Sequence, residues 1–147
     1  MSRMATAWHE AGHAVMCHMV RGHFRYITLR PRGKKAGTNG HVYGVRTPGR
    51  LAMVYVLMAG PVVQSAIEGR PVVDVLTSTG CRDLLKAADI VERTPGIDLW
   101  ETVLAVDKVL AVSTRLRAVE TIANALQDQT RALTYREFLA LLGEGDK

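Results

Sequence analysis

The sequence has 147 residues, 48% of them hydrophobic, which is enough for one core and too little chain for two, so a single domain over 1–147 is expected. Cys17 and Cys81 are its only cysteines, too few and too far from any C-x-x-C spacing to suggest a disulfide framework or a thiolate zinc site, which fits a reducing, cytoplasmic setting. The net charge of +5 is unevenly spread: residues 1–67 carry nine Lys and Arg against one acidic residue, and residues 68–147 carry ten against thirteen.

Thr6 to about Val20 reads as a helix built on Ala7, Ala11, Ala14 and Val15, with Gly22 as its stop. Within it stand His9, Glu10 and His13, polar groups that an apolar helix does not normally carry. One helical turn separates the two histidines, so both imidazoles can reach one ion, while Glu10 projects beside them toward a metal-bound water. That is the H-E-x-x-H arrangement of zinc peptidases. The same residues interrupt any signal-peptide core, so export is not expected.

Arg25 to Arg30 and His41 to Arg46 carry β-formers, and Pro31 to Gly40 between them is rich in Gly and Lys. A two-stranded ribbon with a basic loop is expected. Its cations lack interleaved aromatics, so nucleic acid is an unlikely partner. Leu51 to Glu68 reads as a buried helix rather than a membrane span, with Pro61 kinking it or marking a new start. Val72 to Leu76 reads as a short extended segment. The hydroxyls of Thr77 to Thr79 are placed to cap a helix from about Cys81 to Arg93.

From Asp98 to about Gln129 apolar residues recur at helical spacing, as one helix or as two broken near Ser113 and Thr114. Thr134-Tyr135-Arg136-Glu137 is a capping-box sequence before a short helix, Phe138 to Leu142. The fold class is therefore mainly α, formally α+β, with a small β-ribbon.

Catalytic zinc generally takes three protein ligands and leaves one position for water, so one more donor is needed. His18, His23, His41, Glu68, Asp74 and Asp83 are candidates. Asp83 is attractive because a carboxylate in the first turn of a capped helix is held rigidly, although such a residue also serves simply as a partner of the helix dipole. Cys17 reads as core, with thiolate ligation as the lesser alternative.

At this point the residues resemble a family. His9-Glu10-Ala11-Gly12-His13-Ala14-Val15, Ile27 to Gly33, Met58-Ala59-Gly60, and Ser78 to Ala88 are similar, in order and spacing, to successive motifs of the peptidase domain of FtsH-type ATP-dependent zinc metalloproteases. Ile122 to Phe138 is similar, more weakly, to that domain's final helices. The resemblance implies one Zn²⁺ per chain held by His9, His13 and Asp83. It also implies that Glu10 is the general base of a zinc-dependent endopeptidase acting on unfolded or flexible polypeptides. Zinc would acidify its water and polarise the scissile carbonyl, and Glu10 would pass the water proton to the leaving amine.

The sequence departs from the family where Gln64 stands in place of a carboxylate and Pro61 precedes it. Met1 lies close before the metal helix, and no Gly-x-x-x-x-Gly-Lys-Ser/Thr loop occurs, so a stand-alone domain without intrinsic ATPase or transmembrane segments is expected. Its partners would then be the polypeptide substrate, further copies of itself, or a separate AAA ATPase. An extended peptide would lie along one edge of the ribbon, where His41 or Tyr43 is placed to polarise the carbonyl. The contrasting reading is a non-catalytic regulatory module that keeps the peptidase fold and associates with such proteases or an ATPase. A third is a basic surface-binding protein with a structural metal.

Overall fold

The computed structural model describes residues 1–30, 40–129 and 131–144. Among them run α1 (Arg3–Met19), β1 (Tyr26–Thr28), β2 (His41–Tyr43), α2 (Arg50–Glu68), α3 (Val72–Leu76), α4 (Cys81–Glu92), α5 (Leu99–Leu110), α6 (Ser113–Asp128), β3 (Leu133–Thr134) and α7 (Tyr135–Leu141). The fold is mainly α, as expected. Most of the basic loop, residues 31–39, lies outside the described residues.

α1 is the central helix. Ser2 caps it by accepting from the Ala5 N–H at 3.0 Å, and every residue from Ala5 to Cys17 except Trp8 is buried. A helix buried on nearly all sides must be narrow, which explains its alanines. It packs chiefly on α2 and α6. At Gly12 a Cβ would come within 2.9 Å of both the Ala59 carbonyl oxygen and the Val63 Cγ2 on α2. The missing side chain lets the two helices close.

The end of α1 is a Schellman motif in which Gly22 N–H donates to the Cys17 carbonyl at 2.8 Å and Arg21 N–H to the His18 carbonyl at 3.1 Å. Arg21, not the glycine, takes the left-handed position, with φ of 62°. Gly22 is needed one residue later, where a Cβ would meet the Arg46 carbonyl oxygen at 2.5 Å. The stop is therefore steric as well as conformational.

The ribbon is one strand richer than expected. The sheet is antiparallel in the order β2-β1-β3, with Tyr26 opposite Tyr43 on one side and Thr134 on the other. β3 has two residues, too few to show a periodicity. α2 runs through Pro61 as one helix, so of the two expectations, a kink or a new start, the new start does not occur, and Gly69 ends it at φ of 64°. It is long and apolar enough to cross a membrane by length and composition, and half of that stretch is buried inside the fold.

Two local expectations fail together. Val72 to Leu76 forms a helical turn, not an extended segment, because Pro71 starts it and the following hydroxyls satisfy its carbonyls. Thr77 Oγ1 donates to the Val73 carbonyl at 2.8 Å and Ser78 Oγ to the Asp74 carbonyl at 2.5 Å. Those hydroxyls turn toward α3, and α4 has Gly80 as its N-cap with no side-chain hydrogen bond. α5 and α6 are two helices parted at Ala111 and Val112. The capping box of Thr134 and Glu137 forms, and α7 begins at Tyr135, three residues before the expected start.

The close crossing of α1 and α2 is testable. Gly12→Val should lower stability by about 1–3 kcal/mol, since α2 backbone cannot yield as a flexible side chain would. Gly49→Ala, where nothing lies within 4 Å, should cost no more than about 1 kcal/mol, the preference for Gly over Ala at an N-cap. Urea denaturation midpoints of the two variants make the comparison.

Candidate metal centre

α1 presents His9, Glu10 and His13 at the floor of an open cleft of about 730 Å³. All three are buried, and each offers a ligand atom within 4.8 Å of the other two. The first turn of α4 brings Asp83 onto the same point. His9 Nε2 and His13 Nε2 are 3.0 Å apart, and Asp83 Oδ2 lies 2.9 Å from the former and 3.2 Å from the latter. Three donors therefore form a triangle about 3 Å on a side. Space for it comes from Gly60 on α2, where a Cβ would press on the His13 ring and lie 2.8 Å from His9 Nε2.

The far sides of both imidazoles are held. His9 Nδ1 bonds Gln64 Oε1 at 2.7 Å, and His13 Nδ1 bonds the Val56 carbonyl at 2.6 Å. A carbonyl oxygen can only accept, so each Nδ1 carries the proton and each Nε2 turns its lone pair into the triangle. Gln64 is fixed in turn: its amide nitrogen donates to Glu68 Oε1 at 2.6 Å and to Thr79 Oγ1 at 2.8 Å. Both acceptors orient the amide so that its oxygen faces His9.

Sequence reasoning placed Gln64 only as a departure from a pattern and did not find Val56, Glu68 or Thr79 as supports. The polar Gln64 inside an apolar helix run was the available signal. The Val56 contact leaves no signal, because it uses backbone.

Lone pairs from two neutral imidazoles and a carboxylate repel one another unless a cation joins them. Without a metal, a proton can do this. For Asp83, burial opposes the charge, but His13 and His9 outweigh it and hold its carboxyl well below the usual carboxylate range. For His13, burial opposes protonation, yet Asp83, aided by Glu10 and the Val56 carbonyl, raises it to about 9. Glu10 is pushed up by burial, against the opposing influence of His13 and His9.

The other candidates lie elsewhere or in supporting positions. His18 pairs with Glu144 at 2.5 Å beyond the far end of the cleft-lining part of α1, and His23 bridges to Arg46. His41 lines the cleft, whereas Tyr43 stacks on Tyr26 with ring centres 5.0 Å apart and does not line it. Asp74 lies in α3 and Glu68 serves Gln64. Cys17 is buried, which pushes its thiol up to about 12 and away from the thiolate a ligand requires.

Residues 1–71, just under half of the chain, match the family model described as Peptidase M50B-like. The matched stretch takes in α1, the ribbon and α2, and so includes His9, Glu10, His13 and Gln64 but ends before Asp83. The similarity is to a metallopeptidase-like family and does not single out the FtsH type. No curated protein matches the chain.

In the metal-free protein the folded pKa of His13, about 9, exceeds its ordinary value of 6.5, so its contribution to stability is full below pH 6.5 and is lost as pH rises through 9. Unfolding midpoints in chelator should fall across that window, and His13→Gln should remove the slope. A second outcome concerns Gln64: Gln64→Leu strips His9 Nδ1 of its acceptor. It should weaken divalent-metal binding by about 10–100-fold in competition with a chromogenic chelator.

Proposed function

We propose that this protein is a zinc-dependent endopeptidase of the FtsH-like kind, with His9, His13 and Asp83 as metal ligands and Glu10 as general base. The observation that carries this reading is the triangle of lone pairs, oriented from behind and open to a cleft in front. Zinc bonds of about 2.0–2.1 Å in a tetrahedron put donor atoms about 3.3 Å apart, close to the spacing found, and two nitrogens with one carboxylate oxygen suit its preferences. When bound, zinc would supply Lewis acidity toward a carbonyl and a water.

The chain's own groups do the rest. Gln64 and Val56 fix the imidazole tautomers and keep both Nε2 atoms aimed at the triangle. Glu10, buried and with its proton affinity raised, is suited to take a proton from water and return it to the departing amine. A peptide would lie extended along the outer edge of β2, which among the described residues has no strand beyond it in the sheet and flanks the cleft. Substrates would be polypeptides already unfolded, or delivered by an ATPase, in the cytoplasm.

Cleavage of a permanently unfolded protein, together with zinc content, tests the assignment. Glu10→Gln should lower turnover by about 10²–10⁴-fold while retaining one zinc per chain. Asp83→Ala should lose the zinc. Full activity in Glu10→Gln would remove the mechanism, and unchanged zinc in Asp83→Ala would remove the third ligand.

A further inference from the structure

The residues flanking Asp83 carry an unused charge. Arg82 precedes it and Lys86 follows three residues later, and both line the same cleft as His9, Glu10 and His13. Four residues of helix separate Arg82 from Lys86, about 6 Å along the axis, so the two side chains leave from one face and can converge on one small group. Farther along α4, Asp89 pairs at 2.8 Å with Arg93, the residue that caps the helix. Among the described residues, neither Arg82 nor Lys86 has an ion pair or a hydrogen bond.

The carboxylates in the cleft make no ion pair with either cation. Asp83 and Glu10 are the acidic residues lining it, and Asp83 Oδ2 already faces both imidazoles. A divalent ion at the triangle would balance these two carboxylates, leaving the two cations of α4 as surplus. Val42, Val45, Leu57 and Ile90 line the same cleft and suit a substrate side chain, while Arg82 and Lys86 are themselves exposed, so a charge interaction with them is screened by salt. Two cations in an apolar-walled cleft fit one small anionic group better than the continuous charge of a nucleic acid.

We infer that Arg82 and Lys86 form a carboxylate-reading subsite, so that the cleft prefers peptides bearing a carboxylate beside the bond at the metal centre. This rests on the peptidase reading for its substrate class. The carboxylate has two sources, an Asp or Glu side chain or the C-terminus of the peptide. Lys86 also acts by charge on Glu10, which places it within electrostatic reach of the reacting groups.

The test uses the zinc-loaded full chain in two formats. Binding of fluorescent peptides to the Glu10→Gln protein is followed by anisotropy, and cleavage of the same peptides by the parent protein is followed in parallel. The peptides differ by Glu against Gln at a single position, and by a free against an amidated C-terminus. A carboxylate form should bind about ten-fold more tightly at low salt and lose most of that advantage in 1 M salt.

In Arg82→Met/Lys86→Met the ratio should fall to about one, in Arg82→Lys it should persist, and in Arg82→Glu/Lys86→Glu the preference should turn to Lys-containing peptides. Preference for Glu assigns the subsite to side chains, and preference for the free end assigns it to C-termini. A ratio of one in the parent, or a ratio unchanged in the double Met variant, overturns the inference. Discrimination in binding without any cleavage supports the subsite and sinks the peptidase reading. Cleavage without discrimination does the reverse.

Discussion

Helix α1 and helix α2 approach so closely that side chains are excluded at two points, and the site depends on both. At Gly12 the exclusion is between helix surfaces, with the Ala59 carbonyl and Val63 where a Cβ would be. At Gly60 the exclusion works in the other direction, since the imidazoles of α1 fill the space over α2. A wider crossing would move the Val56 carbonyl and Gln64 away from the ring nitrogens they now hold. Packing and chemistry are thus set by one distance, which is why small residues concentrate in the middle of both helices.

α4 is attached to this pair through the same residues. Gln64 reaches Thr79 in the connector before α4, and Pro61 packs at Gly80, where a Cβ would lie 3.1 Å from its Cγ. The proline interrupts the helical hydrogen-bond ladder but supplies the surface on which the start of α4 rests. Asp83, three residues on, inherits its position from that contact. The carboxylate therefore needs no hydroxyl cap on α4 to be well placed.

What could be read in advance follows the range of the forces involved. His9, Glu10 and His13 were legible because helical spacing alone puts them together, and the capping box of Thr134 and Glu137 because it is local. Asp83 was an attractive candidate among several from its first-turn position and was singled out only through resemblance, and the 70 residues between it and His13 explain why no local pattern could settle it. Val72 to Leu76 misled because β-branched residues favour strands, whereas Pro71 and two hydroxyls favour a turn. β3 was missed because two residues have no period. Gln64 was visible as an oddity, but its partner is 55 residues away.

The amide at Gln64 has a chemical consequence beyond orientation. A carboxylate behind an imidazole draws the Nδ1 proton toward itself and makes the opposite nitrogen a richer electron donor; a neutral amide does this less. His13 is in the same situation, since its partner is a peptide carbonyl. Both rings thus lack the extra electron density that a carboxylate at Nδ1 would lend, and a cation held there would receive less of it than one backed by carboxylates. It would be bound more loosely and would remain more electrophilic, so Gln64 trades grip for acidity at the centre of the cleft.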